Sequence, residues 1–550
     1  VQTNCQRLLC AGARGSRTMK ITSISIRNHS RISDCTLDVR NNLILVGANG
    51  SGKSSILRCI DLALGKTTQQ LYYSIDNSDF EDEEQPFVVE VRLEELSEDE
   101  LSFFPDDYDA LDNSLTVRME ATLDKDDLTI RRYFPKGAGE NNLRREQLES
   151  IGWSMIPSDF STTQLEPGRK TIVDDYLKEV DASGDESKLA EAIESLSDAI
   201  DESDAFKEAL GSLADQLDPV LDGGITANKL HFVPEAAING DLLNDVRLQI
   251  EGKSGTARQA TEQSDGTKAL IAFSIFGLLN SGGMIAIDEP ETHLHPSAQR
   301  NLMRILKSTG RQLVIATHSG VVAGEFDPVS VAVTHEGIPP VQPSRGFLSG
   351  NKDQATLARW WISSKVELLT AKQIIAVEGP SDRMVLEEAA VKMGRHLERD
   401  GIEILEAGGC TEMQHVLDIF GENGFGIRVN ILIDEDDGRN LGKLANRLDV
   451  TVDNLAEKSV FVSRKDLEDE YVSAIGADRL WSAMNDSSLF TRNMLSNCKI
   501  APGASVPNEQ DLAEYCRSNK IISAVIACGT FDKATAEKVS SVAEVLRNAS

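Results

Sequence analysis

"NLILVGANGSGKSSILRCIDLAL", residues 42–64, reads as a buried strand, a glycine-rich turn and an amphipathic helix in direct succession. Leu43 to Val46 is an unbroken apolar run, and Gly47 to Ser54 has the spacing GxxxxGKS. The glycines Gly47, Gly50 and Gly52 let the loop turn back, so that backbone N–H groups from Gly47 through Asn49 to Ser55 surround the β-phosphate of a nucleotide. Lys53 then reaches the β and γ oxygens, and the Ser54 hydroxyl ligates Mg²⁺. Strand, loop and helix agree, which sets the first part of the chain as an α/β P-loop ATPase that takes ATP.

The partner of such a loop is an acidic strand end, and "GGMIAIDEPETHLHP", 282–296, supplies one. Asp288 is placed to hold Mg²⁺ through water, and Glu289 to polarise the attacking water. "QSDGTKALIAFSIFGLL", 263–279, puts Ser264, Asp265 and Gly266 at the start of a strongly apolar helix, where an anion can bind. "QLVIATHSG", 312–320, ends a further strand at His318, positioned to sense a γ-phosphate.

In this order the four pieces resemble the ABC-type ATPase heads of the SMC, Rad50 and RecF group. The opening "ITSISIRNHSRISDCTLDVRNNLILVGANGSGKSSIL", 21–57, is similar to theirs, with His29 where an aromatic is usual. The resemblance implies a dimer in which Ser264 and Gly266 of one subunit close on the γ-phosphate held by the other. Gln164 is the candidate for the glutamine that usually follows the first lobe. Between the halves of the head, 172–224 carries apolar residues at intervals of three and four among acids, and reads as a compact helical insert, a candidate for dimerisation. It is too short for an SMC coiled-coil arm.

"EGIPPVQPSRGFLSGNKDQ", 336–354, rich in Pro, Gly and Ser, marks a boundary. Beyond it strand and helix alternate: "QIIAVEGPSD" at 373–382, "GIEILEAGG" at 401–409, "IRVNILIDEDDG" at 427–438. Such alternation implies a parallel sheet with helices on both faces and functional residues at the carboxyl ends of the strands. Glu378 and Asp434 end strands, Asp382 follows Glu378 by one helical turn, and Asp434 and Asp436 share one side of an extended segment. Glu435 and Asp437 are expected to point away. Carboxylates gathered on one edge repel unless a divalent cation, Mg²⁺ or Mn²⁺ with Ca²⁺ as a further candidate, neutralises them.

"VEGPSD" followed by "ILIDEDDG" resembles a Toprim domain, and an ABC head with a C-terminal Toprim is the layout of the OLD (overcoming lysogenisation defect) family of nucleases. The resemblance covers nearly all of 19–550, including the form "EPETHLHP" of the acidic strand. It implies that Glu378, Asp382, Asp434 and Asp436 hold one or two metals. It also implies that "DLEDEY", 466–471, completes the second site through Glu468 and Glu470, with Asp469 also open, and that Lys520 in "CRSNKIISAV" contacts the scissile phosphate. Two cations roughly 4 Å apart would activate water for in-line attack on a phosphodiester.

The expected organisation is residues 1–18 as an added or upstream segment, or an organelle transit segment; 19–154 and 229–340 as ATPase; 155–228 as the insert; 341–365 as a linker; and 366–550 as a Toprim nuclease domain with helical additions. A net charge of -32 opposes non-specific binding to nucleic acid, so DNA has to be met on local basic ground, with Arg131, Arg132, Arg144 and Arg145 as candidates, or through bound Mg²⁺. Eight scattered cysteines without CxxC pairs fit a reducing cytoplasm, and no apolar run approaches the roughly 18 residues that span a bilayer. The resemblance implies an ATPase and two-metal endodeoxyribonuclease in anti-phage defence, working as a homodimer or higher homo-oligomer, with a helicase or a retron RNA/DNA as candidate partner. The alternatives are a DNA-binding scaffold of the RecF/SMC type without nuclease activity, and a toxin acting on RNA or nucleotides.

Overall fold

The computed structural model describes residues 18–124, 127–136, 142–158, 165, 199–219, 224–234, 246–251, 255, 257–279, 283–348, 350–435 and 439–549. Residues 1–17, Gln164, most of the 155–228 insert, Asp436 and Asp437 lie outside these. The chain forms two compact units, one up to Gln342 together with Arg359–Ser364, the other Pro343–Ala358 with Lys365–Ser550. Among the described residues no helix is long and apolar enough to cross a membrane.

The first unit contains strands β1 (Lys20–Arg27), β2 (Cys35–Asp38), β3 (Leu43–Gly47), β4 (Phe87–Glu94), β5 (Leu115–Asp124), β6 (Asp127–Tyr133) and β7 (Trp153–Ile156). They are followed by β8 (Leu230–Pro234), β9 (Val246–Glu251), β10 (Ala257–Gln259), β11 (Met284–Asp288), β12 (Gln312–Thr317), β13 (Val331–His335) and β14 (Ile338–Val341). The central sheet runs β14-β13-β3-β12-β11-β7 and is parallel apart from β14. Its strands β3, β11 and β12 are buried at every residue, as apolar runs covered on both faces must be.

A second, antiparallel sheet runs β2-β1-β4-β5-β6. Its signal is the apolar–polar alternation of "FVVEVRLE" in β4 and "LTVRMEATLD" in β5. Helix α1 (Lys53–Leu64) packs into one core with both sheets: Ile56, Leu57 and Ile60 meet Ile24, Val89 and Val117 of the antiparallel sheet and Leu45, Ala286 and Val314 of the parallel one. β8, β9 and β10 form a separate three-stranded sheet. The described part of the insert includes helix α2 (Asp204–Leu217), which buries Leu210, Leu213, Ala214 and Leu217 along one stripe. Helix α3 (Asp265–Leu279) buries Ala269 through Phe273 without a polar face. The 341–365 stretch is more structured than its composition suggests, since Lys352–Ser364 is helical and buries Trp361.

The second unit is built on four parallel strands, β15 (Gln373–Val377), β16 (Ile402–Glu406), β17 (Arg428–Asp434) and β18 (Val460–Ser463), in the order β16-β15-β17-β18. Successive β15 residues Ile374 to Val377 are all buried, so both faces of the sheet are covered. One face shares a core with helices α4 (Pro380–Lys392), α5 (Leu467–Ile475), α6 (Glu509–Ser518), α7 (Lys520–Thr530) and α8 (Ser540–Asn548), through residues such as Val377, Leu386, Leu432, Tyr471 and Leu512. Five cysteines, Cys35, Cys59, Cys498, Cys516 and Cys528, are free and buried or half-buried, so they act as packing groups.

Candidate functional site

In the first unit the loop after β3 is held by contacts that need glycine. A Cβ on Gly47 would lie 2.1 Å from Thr334 Oγ1, and Gly52 has φ +95 with Arg31 O only 3.2 Å from a built Cβ. Ser51 Oγ and Thr334 Oγ1 share a hydrogen bond of 2.7 Å. Asn49 and Gly50 are exposed at the tip, with Ser55 half-buried in α1. Lys53 is buried and donates to Gly47 O and Ala48 O, each at 3.0 Å, which folds the ammonium back over the loop. Burial lowers its pKa, while Glu289, Asp288 and Glu291 oppose that shift.

The acids of β11 face this loop. Ser54 Oγ donates to Asp288 Oδ1 at 3.0 Å, and burial raises the Asp288 pKa against that bond. The next residue, Glu289, sits at φ 48 with its N–H donated to Ala316 O at 2.9 Å, a left-handed conformation that turns its carboxylate to within 3.4 Å of His318 Nε2. The phosphate-loop candidate, Asp288 and Glu289 are therefore brought together with His318. Glu291, which the sequence reading did not single out, accepts from His318 N at 2.6 Å and from Thr317 Oγ1 at 2.7 Å, and so orients the segment that carries His318. Its position two residues after Glu289 in "IDEPE" was the available signal. Ser264 begins α3 exposed, accepting from Thr267 N at 3.4 Å, and Gly266 lies close under His293 O, 2.9 Å from a built Cβ.

His29 fills the aromatic position expected of it, buried with its ring edge-on to Phe87 at 5.2 Å. The basic ground proposed for DNA is only partly available. Arg132 is buried, donating to Leu62 O and Lys66 O at 3.4 and 2.5 Å, and burial lowers its pKa to about 10. This corrects the expectation for that residue: the antiparallel β6 turns alternate side chains inward, and Arg132 falls on the inner side. Arg131 stacks on the Tyr133 ring at 4.7 Å; Arg144 bonds Gln147 at 3.4 Å and Arg145 pairs with Glu149 at 3.1 Å.

In the second unit the carboxyl ends of β15 and β17 lie side by side. Asp434 N donates to Glu378 Oε1 at 3.0 Å, and Asp434 Oδ1 accepts from Leu467 N at 2.9 Å. Asp382 is buried at the start of α4, where its Oδ2 accepts from Gly379 N at 2.9 Å and its Oδ1 from Ser381 Oγ at 3.2 Å. Glu468, 1% exposed, enters from α5, and Lys520 Nζ lies 3.8 Å from both Asp434 Oδ2 and Glu468 Oε2. Burial together with the charges of Glu378 and Asp382 pushes the Asp434 pKa up to about 8. Burial also raises Asp382 and Glu468. Lys520 works the other way: burial opposes its charge, yet Glu468, Asp434, Asp382 and Glu378 raise its pKa.

Glu470 is not in this cluster. It accepts from Arg464 N at 3.0 Å and from Ser541 N and Oγ at 3.0 and 2.8 Å. Glu468 and Glu470 begin a helix, where residues two apart diverge by about 200°, so the two carboxylates implied by the resemblance face different ways. Asp469 pairs with Arg517 at 2.9 Å, and Glu435 accepts from Lys465 N at 2.9 Å. Among the described residues no three His, Cys, Asp or Glu side chains are already drawn into a metal-holding group. The donors nevertheless suit one. Glu378, Asp382, Asp434 and Glu468 offer only hard carboxylate oxygens, and Glu468 Oε2 is buried without a hydrogen-bond partner.

A family model described as "AAA domain, putative AbiEii toxin, Type IV TA system" matches residues 43–323, and one described as "Overcoming lysogenization defect protein-like, TOPRIM domain" matches 369–436. The Old nuclease of Escherichia phage P2 is 22% identical over 489 residues, 76% of this chain and 78% of that protein. Endonuclease GajA of Bacillus cereus (strain VD045) is 23% identical over 451 residues, 76% of this chain and 75% of its own length. Among solved structures, the C-terminal region of the Burkholderia pseudomallei OLD protein is 24% identical, covering 32% of this chain and 96% of that one with a TM-score of 0.26. The first model alone reaches over half of the 550 residues, so the chain belongs to that AAA family and, with the Toprim match behind it, to the OLD family, an ABC-type ATPase head followed by a C-terminal Toprim domain.

Proposed function

We propose that this protein is an ATP-binding and hydrolysing, divalent-metal-dependent DNA endonuclease of the OLD type that acts in anti-phage defence. The observation that carries the reading is the meeting of Asp434, Glu378, Asp382 and Glu468 with Lys520 at the carboxyl edge of a parallel sheet. Glu378, Asp382, Asp434 and Glu468 would hold Mg²⁺ or Mn²⁺, with Asp436 as a further ligand. Bound there, the cation supplies a water that ionises near neutral pH and neutralises charge on the phosphoryl group.

The chain's own groups do the rest. Gly379 N and Ser381 keep Asp382 turned inward, and Leu467 N holds one Asp434 oxygen so that the other stays directed at the cluster. Lys520 adds positive charge where the pentacoordinate phosphoryl group becomes more anionic than the ground state. In the head, Lys53 would bind the nucleotide phosphates, Ser54 and Asp288 would hold the Mg²⁺ that accompanies ATP, Glu289 would direct the water, and His318 would read the γ-phosphate. Ser264 and Gly266 complete that site from a second copy, which makes the working form a homodimer or larger homo-oligomer. A cytoplasmic location and a defence partner, a helicase or a retron RNA/DNA, fit the same reading.

The test is cleavage of plasmid DNA with Mg²⁺ or Mn²⁺, with and without ATP, by the wild type and by Asp434→Ala. The expected outcome is nicking or linearisation by the wild type and a fall of about 10³-fold in the variant. Equal cleavage by both, or none by either under every metal and nucleotide, would leave an ATP-dependent DNA-binding scaffold as the surviving reading.

A further inference from the structure

The acidic turn at the start of α5 has two sides. Glu468 looks into the carboxylate cluster, whereas Asp469 and Glu470 line a separate cleft of about 580 Å³. Its other walls include Arg464, Lys465 and Lys538. The cleft belongs to the same sheet edge as the cluster: Asp434 and Ser463 are register partners on neighbouring strands, and Arg464 is the next residue after Ser463. Its rim is tied to that edge by the bond from Lys465 N to Glu435, the residue after Asp434.

The acids of the cleft are engaged by groups other than the Arg464 and Lys538 side chains. Asp469 is engaged by Arg517 at 2.9 Å and by Lys465 at 3.5 Å, and Glu470 by the backbone of Arg464 and by Ser541. Glu509, the remaining acid, lies in the first turn of α6, where the helix dipole offsets its charge. The Arg464 and Lys538 side chains are exposed, and among the described residues neither is in an ion pair. In a chain of net charge -32, two exposed cations outside any ion pair offer a phosphate local basic ground that the acidic surface as a whole does not.

We propose that this cleft is a backbone-phosphate subsite, in which Arg464 and Lys538, with Lys465 at the rim, take a phosphodiester of the DNA strand flanking the one that is cut. The proposal rests on the nuclease reading and names where its substrate gains purchase on an otherwise repulsive surface. Phosphate contacts fix the register of a strand without reading its sequence. The subsite therefore holds the scissile bond over Asp434 and Lys520 whatever the base.

The experiment measures binding of a fluorescent DNA duplex by the full chain carrying Asp434→Ala, with and without the further pair Arg464→Ala and Lys538→Ala, across 50 to 200 mM salt. Losing two phosphate contacts should weaken binding by about 10-fold or more at low salt and make the slope of log affinity against log salt shallower by about 2. The charge-preserving pair Arg464→Lys and Lys538→Arg should restore both, and an unchanged urea-unfolding midpoint in the alanine pair reports an intact fold. An unaltered slope in the alanine pair overturns the subsite, as does a loss that the charge-preserving pair does not restore. Because the wild-type and Asp434→Ala plasmid comparison decides the nuclease reading separately, cleavage by the wild type with an unaltered slope removes the subsite alone.

Discussion

The protein contains two parallel sheets, each with a strand that runs out of apolar residues into acids, and the two ends serve opposite ligands. At β11, Asp288 has a serine hydroxyl at 3.0 Å, with Glu289 and Glu291 close by and the buried Lys53 in a loop that turns on its glycines. At β17, Asp434 has three further carboxylates as neighbours and one lysine at 3.8 Å. The first arrangement sets a lysine and a row of loop N–H donors beside its acids, donors suited to phosphate. The second has too much negative charge and is completed by a cation. An acidic strand end therefore says little by itself; the neighbours that the fold brings to it decide the sign of the ligand.

The contrast is broken most sharply in the head. Glu289→Gln should lower ATP hydrolysis by about 10²–10⁴-fold while leaving ATP binding in place, as loss of a group that directs water does. Protection of the Toprim unit by Mn²⁺ against heat should be untouched. If that protection disappeared as well, the two acidic ends would not be independent sites.

Lys520→Ala tests the other side. We expect turnover of DNA to fall by about 10²-fold, with Lys520→Arg recovering part of it. Lys520 also lowers the Asp434 pKa, so its removal should carry the rising limb of the pH–rate profile to higher pH. A uniform drop with no displacement of the profile would mean that Lys520 does not act on the cluster.

The pH dependence of stability follows from the same carboxyl. Asp434 keeps its proton up to about 8 in the folded chain, whereas an unfolded aspartate releases it near 4, at about 3.9. Folded protein without metal therefore holds a proton that the unfolded chain has lost, and its stability falls as pH rises from about 4 to about 8. Added Mn²⁺ replaces that proton, so the gain in melting temperature from Mn²⁺ over EDTA should be larger at pH 8 than at pH 6. A gain that shrinks with pH would contradict a site closed by Asp434.

The smallest effect is expected at Glu470→Ala. Its carboxylate satisfies Ser541 and Arg464 N, so its loss should cost about 1–2 kcal/mol in a urea titration and leave Mn²⁺ affinity unchanged.

Much of this was legible in the chain because strand, loop and helix signals coincide. "LILVGANGSGKSS" and "MIAIDEPE" each state an apolar run, a turn and the residues that follow, and the Toprim strands do the same. Glu470 was not legible, since it depends on whether "DLEDEY" continues a strand or begins a helix, and three successive acids look alike in either case. Nor was Glu291, whose acceptance of two donors from the His318 segment depends on β11 and β12 lying side by side. Arg132 was misread for a related reason: basic residues at a strand end suggest a surface, and only the packing of the antiparallel sheet on α1 turns one of them inward.

That buried arginine has a further consequence. Helix α1 begins at Lys53 and is 12 residues long, about 18 Å at 1.5 Å per residue. At its far end Arg132 of β6 grips the carbonyls of Leu62 and Lys66, where the helix dipole favours a cation. The helix is thus a strut fastened at both ends, between the phosphate loop and the edge of the antiparallel sheet. Close-packed interiors leave little slack. The spacing between the phosphate loop and that remote strand is therefore set by the length of a single helix.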